Sequence, residues 1–239
     1  MIPTRSGLLA ELHQQANSKD ASFLQRFFKT GPGHYGEGDR FIGVRIPAIR
    51  KMLPLADGLP LTESEKMLHS SIHEERLLTL MILVRHFQRG DDCQRKKIVN
   101  LYLTNTCWIN NWDLVDQSAY HIPGSWLLDK PRAVLKKMAR STLLWDRRIA
   151  VVSTYAFIRQ GDLNDTFELS RMLLGDDEDL MHKACGWMLR EAGKRDEKAL
   201  CRFLDQHASS MPRTMLRYSI EKFPERKRKS YLGRKSNVL

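Results

Sequence analysis

The stretch that indicates the fold most directly is Met181-His182-Lys183-Ala184-Cys185-Gly186-Trp187-Met188-Leu189-Arg190. Its apolar residues recur at helical intervals, which is the pattern of one buried stripe on an amphipathic helix. The stripe consists of Met181, Cys185, Met188 and Leu189. We therefore expect a helix here that packs this stripe against its neighbours.

Trp187 lies away from the stripe. Helical spacing places it on one face with Lys183, Arg190 and Lys194. A large aromatic side chain that points away from the core, among cations, contributes little to stability. Such a face is typical of a surface that binds a polyanion and contacts a flat or sugar-like group.

Most of the chain has the same helical periodicity. It recurs at Ile98, Leu101 and Tyr102, and at Ile149, Val152 and Ala156. No segment alternates as a strand would, and no two-residue hairpin turn is evident. The sequence therefore predicts an all-α fold.

Local signals predict where several helices begin and end. Thr62-Glu63-Ser64-Glu65 has the form of a capping box that opens a helix near Glu63. The glycine-rich stretch 31–40 is predicted to be a turn before a helix that starts near Pro47, and it lacks the pattern of a phosphate-binding loop. Prolines expected at helix starts and glycines expected at helix ends are Pro131, Pro212, Gly161, Gly175 and Gly233.

Composition points to a folded protein with an anionic partner. The chain has 239 residues and a net charge of +11, and its last 59 residues hold 15 Lys and Arg against six Asp and Glu. That excess favours a nucleic-acid backbone, although a merely solvated basic surface is the alternative. No apolar run is long enough to span a membrane, and no signal peptide follows the N-terminus. We expect a cytoplasmic, bacterial-type protein that associates with the nucleoid through DNA.

Four cysteines, Cys93, Cys107, Cys185 and Cys201, show neither a CxxC motif nor zinc-type spacing. We expect buried free thiols in a reducing compartment. The eight histidines form no ligand pair, so we expect neither a metal nor a cofactor. We expect a monomer with one repeat domain over residues 1–225 and a basic tail over 226–239.

A repeat of about 36 residues is indicated by three similar contexts. Arg76, Arg148 and Lys183 are separated by 72 and 35 residues, which leaves room for one unit between the first two. Repeats of that length built from helix pairs are typical of a HEAT-like or armadillo-like α-solenoid with a concave groove. The repeated cations would line that groove. Chance similarity among helices is the alternative.

One cluster could carry chemistry. In Trp112-Asp113-Leu114-Val115-Asp116, helical spacing places the indole of Trp112 beside the carboxylate of Asp116. Asp113, near the helix start, could simply stabilise the helix through the attraction of its charge to the positive end of the helix dipole. Trp112 is also close enough to the apolar stripe to be a core tryptophan, so both interpretations stay open.

The next two predicted repeats contain further candidate residues at positions that correspond to Trp112. Arg148, Val151, Tyr155 and Arg159 share a face apart from the core stripe of their helix. Arg148 follows Trp112 by 36 residues, and Trp187 follows Arg148 by 39. In a solenoid of that period, two indoles, one carboxylate and one guanidinium could converge on one groove.

Three segments together resemble the AlkD-type alkylpurine DNA glycosylases. They are Trp112-Asp113-Leu114-Val115-Asp116, Trp145-Asp146-Arg147-Arg148-Ile149-Ala150 and Lys183-Ala184-Cys185-Gly186-Trp187-Met188-Leu189-Arg190-Glu191. The stretch from Phe41 to Arg50 is similar to the N-terminal segment of that family. The resemblance runs in order from about residue 22 to 225.

The resemblance implies a HEAT-like α-solenoid that excises cationic N3- and N7-alkylated purines from double-stranded DNA without a metal. Matching positions imply that Trp112, Asp116 and Trp187 form the catalytic cleft and that Arg148 contacts DNA. Phe27 stands near the place where that family has a tyrosine at the edge of the cleft. Further cations expected to bind phosphates are Arg45, Arg76, Lys183, Arg190 and Lys194.

The chemistry fits these residue types. Alkylation at N3 or N7 makes the base cationic and a good leaving group, so one anion near the deoxyribose suffices. The rival interpretation is a non-catalytic HEAT-like module that binds DNA or serves as a protein scaffold. Asp116 together with both indoles favours the enzyme.

Overall fold

The computed structural model describes residues 3–234, and within them the regular secondary structure is helical, as the sequence predicts. Contacts divide the chain into two compact units, 1–122 and 123–239. The helices of the first unit are α1 (Arg5–Gln14), α2 (Ser18–Phe27), α3 (Ile46–Met52), α4 (Leu61–Leu68), α5 (His73–Arg89), α6 (Asp92–Thr104) and α7 (Trp112–Asp116). Those of the second are α8 (Ala133–Met138), α9 (Leu144–Ser153), α10 (Tyr155–Arg159), α11 (Asn164–Met172), α12 (Asp179–Arg195), α13 (Glu197–His207), α14 (Arg213–Ser219) and α15 (Glu225–Leu232).

Helix α5 is the centre of the first unit. It packs against α3, α4, α6 and α7, and every residue from His73 to Leu83 is buried. A helix that is buried all round is normally apolar. The first turn of α5 is polar, with the sequence His73-Glu74-Glu75-Arg76, so these side chains must find partners inside the protein.

Helix α12 is the centre of the second unit, where it contacts α9, α10, α11, α13 and α14. The predicted stripe is confirmed, because Met181, Cys185, Met188 and Leu189 are fully buried. Gly186 lets α14 approach closely, since a Cβ there would lie 2.6 Å from the carbonyl oxygen of Met215. Trp187 is half-buried beside this apolar stripe.

Three helices begin with the same local motif. The side chains of Ser70, Ser141 and Asp176 each accept a hydrogen bond from the backbone N–H two residues ahead. Their backbone carbonyls each accept a bond from a side chain six residues ahead. The donors of these second bonds are Arg76, Arg147 and His182. The motif therefore braces the starts of α5, α9 and α12.

This motif corrects the predicted register of the repeat. It aligns Arg76 with Arg147 and His182, whereas the repeat predicted from the sequence aligns Arg76 with Arg148 and Lys183. Arg148 and Lys183 still correspond to each other, because the starts of α9 and α12 are 35 residues apart in both alignments. The error arose from two adjacent arginines in α9, either of which matches Arg76 by residue type.

Several predicted helix boundaries lie within one or two residues of those in the structure, and one is wrong. Helix α3 begins at Ile46 with Pro47 in its first turn, and Pro212 directly precedes α14. The capping box at Thr62 is wrong: α4 begins at Leu61 after Pro60, and no side chain caps it. The fixed backbone angle of Pro60 starts this helix instead. Pro131 lies two residues before α8, and Gly161 and Gly233 follow α10 and α15 as expected.

Residues Arg226 to Lys229, expected at the start of a basic tail, lie in α15, and Lys235 lies outside the described residues. The extent of one domain over 1–225 stays a prediction. Cys185 is buried, but Cys93 and Cys107 are exposed, so the expectation of buried thiols is wrong for both. Among residues 3–234, no helix has the length and apolar character needed to cross a membrane.

Candidate functional site

The first unit contains a pocket of about 390 Å³ that is lined by aromatic rings and by carboxylates from α5 and α7. The benzene and indole rings at the pocket belong to Phe23, Phe27, Phe28, Phe41 and Trp112. Of the three carboxylates that line it, those of Glu74 and Asp113 are buried, and that of Asp116 is half-buried. Apolar pockets with a few directed polar groups are the usual form of a ligand site. The predicted pairing of Trp112 with Asp116 therefore falls at a concave surface rather than in the packed core.

Trp112 is held between other rings. Its ring plane stacks on Phe28, with centroids 5.2 Å apart and an angle of 18°. Phe27 meets it edge-on at 6.2 Å, and the indole N–H donates to the hydroxyl of Tyr35 at 3.3 Å. These contacts fix the plane of the indole and leave it half-buried at the pocket.

Phe27 lies near the place where the resemblance to the AlkD-type glycosylases predicts a tyrosine. Its ring is 53% exposed and stacks with Phe23, centroids 5.9 Å apart. Arg45 lies over the outer ring of this pair, 5.2 Å from the centroid of Phe23, and its guanidinium also binds Asp20 at 2.6 Å. The edge of the pocket is therefore an exposed apolar pair with one cation beside it.

The backbone of Trp112 is anchored by the residues on either side of it. Asn111 precedes α7 and accepts a bond from the Trp112 backbone N–H at 2.8 Å, while its amide donates to Asp39 at 3.0 Å. Asp113 accepts from the N–H of Leu114 at 2.9 Å. Since α7 has five residues, it is too short to hold its own start, and these side chains do so instead.

Asp113 belongs to a buried, charge-balanced network with Asp39, His73 and Arg76. The imidazole of His73 donates to Asp39 at 3.0 Å and to Asp113 at 2.8 Å. The guanidinium of Arg76 donates to the other oxygen of Asp39. Two carboxylates thus face two cations in a region where an unpaired charge would be very costly.

The proton affinity of His73 follows from this geometry. Burial by itself would lower the pKa, but the charge and hydrogen bond of Asp113, together with those of Asp39, raise the pKa of His73 to about 9. Burial would raise the pKa of Asp39, yet the hydrogen bond from His73 and the charge of Arg76 hold that pKa below its ordinary value. His73 is therefore a cation at neutral pH and donates from both ring nitrogens.

A neighbouring carboxylate fixes the loop that carries Phe41. Glu74 is buried and accepts from the backbone N–H groups of Ile42, Gly43 and Val44, at 2.8 Å for the bond from Gly43. Gly43 has φ of +85°, and a Cβ there would lie 2.0 Å from the carbonyl oxygen of Asn17. Only glycine fits this close approach.

The sequence did not single out Asp39, His73 or the role of Asp113 in this network. His73 is 34 residues from Asp39 and 40 from Asp113 along the chain, so no local spacing links them. One signal was present: four consecutive polar residues at the start of a helix, directly before a largely apolar run from Leu77 to Val84. Polar side chains in such a position often have buried partners.

Trp187 is in the second unit, where its ring lies near that of Tyr155, with centroids 6.2 Å apart. The cations predicted on its face already have carboxylate partners. Lys183 pairs with Asp179 at 2.8 Å, Lys194 pairs with Glu191 at 2.7 Å, and Arg190 bonds to Glu221. The predicted convergence of Trp187 with Trp112 and Asp116 stays a prediction.

Two of the predicted DNA-binding arginines are buried. Arg148 is 5% exposed and donates to the carbonyl oxygen of Leu180 at 2.6 Å. Val151 is also buried, so the face proposed for α9 is part of the interior at both residues. Arg76 is 2% exposed and forms the helix-start motif and the bond to Asp39. The structure thus gives both guanidinium groups internal partners, and their contact with DNA stays a prediction.

Helices that pack in successive pairs, together with an aromatic pocket that presents a carboxylate, define a helical repeat protein with a candidate ligand site. The model of the DNA alkylation repair enzyme family matches residues 8–223. The chain therefore belongs to the DNA alkylation repair enzyme family, and DNA is the partner that this family implies.

A solved structure, described as a predicted DNA alkylation repair enzyme from Enterococcus faecalis, has the same fold. Its TM-score is 0.69 at 16% identity, and the match covers 88% of this chain and 98% of that one. A comparison with curated proteins finds no match. Among the described residues, no group of three His, Cys, Asp or Glu side chains is arranged to hold a metal ion.

Proposed function

We propose that this chain is a monofunctional DNA glycosylase that hydrolyses the N-glycosidic bond of cationic N3- and N7-alkylated purines, such as 3-methyladenine and 7-methylguanine, in duplex DNA. The observation that carries the proposal is that Trp112 and the half-buried carboxylate of Asp116 line the same largely apolar pocket. Membership of the DNA alkylation repair enzyme family supports a repair reaction on DNA.

The pocket fits the charge changes of this reaction. As the bond between C1′ and the base nitrogen breaks, its electron pair neutralises the cationic purine, and positive charge develops on the deoxyribose. The carboxylate of Asp116 stabilises that charge and holds the water that attacks C1′, whose proton is then released. Trp112 offers a flat face to the sugar or the cationic base, which is worth about 1–2 kcal/mol. Trp187 is proposed to act in the same way.

The exposed and half-exposed cations are proposed to bind the flanking phosphates. Arg45, Lys183, Arg190 and Lys194 are held by carboxylates at or near the surface. Such ion pairs contribute only about 0–1 kcal/mol, so a phosphate can replace the carboxylate at little cost.

The test is base release from methylated duplex DNA under single-turnover conditions. Asp116→Asn preserves the size of the side chain but removes its charge, so we expect the release rate to fall roughly 10²–10³-fold, the usual effect of removing one group that stabilises transition-state charge. Affinity for the duplex should persist. Asp92→Asn is the matched control, because Asp92 is an exposed carboxylate on α6 that does not line the pocket.

Equal release rates for Asp116→Asn and the parent would overturn the assignment of Asp116. A parent protein that binds duplex DNA but releases no methylated purine would overturn the glycosylase proposal and favour a non-catalytic DNA-binding module.

A further inference from the structure

We infer that His73, buried beneath the pocket, is a positioning residue that fixes Trp112 and Asp116 in the direction they face. The inference rests on the proposed function for its activity readout, while its structural readout is independent of that function. His73 is 1% exposed and donates hydrogen bonds to Asp39 and Asp113 from opposite sides of its ring. It thereby joins the loop before α3 to the start of α7.

One connection between His73 and Trp112 runs through hydrogen bonds. Asp113 directly follows Trp112 and binds His73 at 2.8 Å. Asn111 directly precedes Trp112 and binds Asp39 at 3.0 Å, and Asp39 in turn binds His73. Both peptide neighbours of Trp112 are therefore tied to the same imidazole, one directly and one through a single carboxylate.

A second connection runs through stacked rings. The imidazole of His73 stacks on Phe41, with centroids 4.4 Å apart, and lies 5.1 Å from the ring of Phe28. Phe28 stacks on Trp112 at 5.2 Å. Rotation or loss of the imidazole would therefore disturb the indole through the ring of Phe28 as well as through the backbone. Since Asp116 lies one turn further along α7, it moves with Trp112.

Both bonds to carboxylates require a proton on each ring nitrogen. The charged groups around His73 are Asp39 from the loop before α3, Asp113 from α7, and Arg76 from α5, which binds the far oxygen of Asp39. The two carboxylates raise the pKa of His73 to about 9, so both bonds persist at neutral pH. Loss of one proton at alkaline pH leaves one carboxylate without its bond.

The test compares His73→Gln with His86→Gln. Both histidines are buried on α5, but His86 lies toward the other end of the helix, where its ring contacts the carbonyl oxygen of Ala56 at 3.2 Å. We expect His73→Gln to lower the single-turnover rate of base release roughly 10²-fold, the size of effect that a misplacement of about 1 Å can produce. Affinity for undamaged duplex should stay within about twofold. His86→Gln should change neither.

The structural readout is the indole N–H signal of Trp112 in a ¹H–¹⁵N spectrum, assigned through Trp112→Phe. In the parent protein this signal should shift with a midpoint near pH 9, the pKa to which the two carboxylates raise His73. His73→Gln should displace the signal at pH 7.5 and abolish its titration, whereas His86→Gln should do neither. If His73→Gln does not fold, the titration is repeated in Tyr35→Phe, which removes the phenol that the Trp112 indole N–H contacts. A shift near pH 9 that persists in Tyr35→Phe supports the inference, and its disappearance there overturns it.

A Trp112 signal that stays constant from pH 7.5 to 10 in the parent would overturn the inference. A folded His73→Gln variant with an unchanged signal and an unchanged release rate would also overturn it. If the parent releases no methylated purine, the proposed glycosylase fails, but the titration of Trp112 still supports or refutes the positioning role of His73.

Discussion

Trp112 and Trp187 are supported in different ways. Trp112 begins α7, a helix of five residues whose start is held by a buried network of charged side chains. Trp187 lies within α12, a helix of 17 residues with a fully buried apolar stripe beside it. Hydrophobic burial is non-directional and tolerant of pH, whereas hydrogen-bonded charges are directional and depend on protonation. The surroundings of Trp112 should therefore be sensitive to single charges, and those of Trp187 to packing.

The largest expected effect is that of removing an anion from the network near Trp112. Asp113→Ala leaves His73 with one carboxylate and deprives the N–H of Leu114 of its acceptor. Breaking a buried ion pair by removing one partner costs about 3–5 kcal/mol in free energy of unfolding. Urea denaturation at pH 7 measures this loss.

Asp179→Ala is the counterpart on the helix of Trp187, because Asp179 pairs with Lys183 at the surface. Its removal should cost less than about 1 kcal/mol. Equal losses for the two variants would show that the surroundings of the two tryptophans do not differ in this respect.

Alkaline pH should weaken the first unit through His73. The pKa of His73 is about 9 in the folded protein, against 6.5 for an ordinary exposed histidine. The protonated imidazole therefore contributes its full stabilisation of the folded state below pH 6.5, and this stabilisation is lost as the pH rises through about 9. At about 1.4 kcal/mol per pH unit, this amounts to about 3 kcal/mol. Urea denaturation of the parent and of His73→Gln over this pH range measures the difference, and identical pH slopes would contradict it.

Packing should matter more near Trp187. Gly186→Ala places a Cβ 2.5 Å from the Cβ of Tyr218 and 2.6 Å from the carbonyl oxygen of Met215, so α12 and α14 must separate. Overpacking of this kind costs about 1–3 kcal/mol. Gly175→Ala is the control, since nothing lies within 4 Å of a Cβ there. Thermal denaturation that gives the same midpoint for both variants would refute the close approach.

The smallest expected change concerns the cations around Trp187. Lys183→Ala should leave the free energy of unfolding within about 1 kcal/mol, because its ion pair is half-exposed. The affinity of Lys183→Ala for damaged and for undamaged duplex should fall by the same factor. The slope of log K against the logarithm of the salt concentration should become shallower by about 1.

Binding titrations at several salt concentrations measure this slope. Lys96→Ala, at an exposed position on α6, is the control and should leave the slope unchanged. A loss of affinity confined to damaged DNA would exclude a simple phosphate contact for Lys183.

The parts of the fold that were predicted from the sequence depend on local periodicity. The stripe of α12 was predicted correctly because its members lie within about two helical turns of one another. Trp112 and Asp116, one turn apart, both line the pocket, and their catalytic role stays a prediction. The repeat was detected, but its register was wrong by one residue, since Arg147 and Arg148 are equally good matches to Arg76. The bond from Arg147 to the carbonyl oxygen of Ser141 identifies Arg147 as the residue that corresponds to Arg76.

The network beneath Trp112 could not be predicted because its members come together only in the folded chain. Asp39 lies near the end of the glycine-rich stretch 31–40, and His73 begins a helix. Asp113 had a simpler explanation as a residue near a helix start whose charge interacts favourably with the helix dipole. Arg148 was predicted on a polar face of α9, but it is buried and donates to the carbonyl oxygen of Leu180. Periodicity indicates which residues share a face, but not which neighbour covers that face.

The bracing motif at the starts of α5, α9 and α12 has a consequence for the folding pathway. Each motif closes a loop of only six residues, and contacts so close in sequence form quickly because little chain entropy is lost in closing them. Helix nucleation is the slow and unfavourable step of helix formation, and each brace fixes the residues at which that step occurs. Helices α5, α9 and α12 can therefore acquire their first turns early, before collapse brings distant segments together.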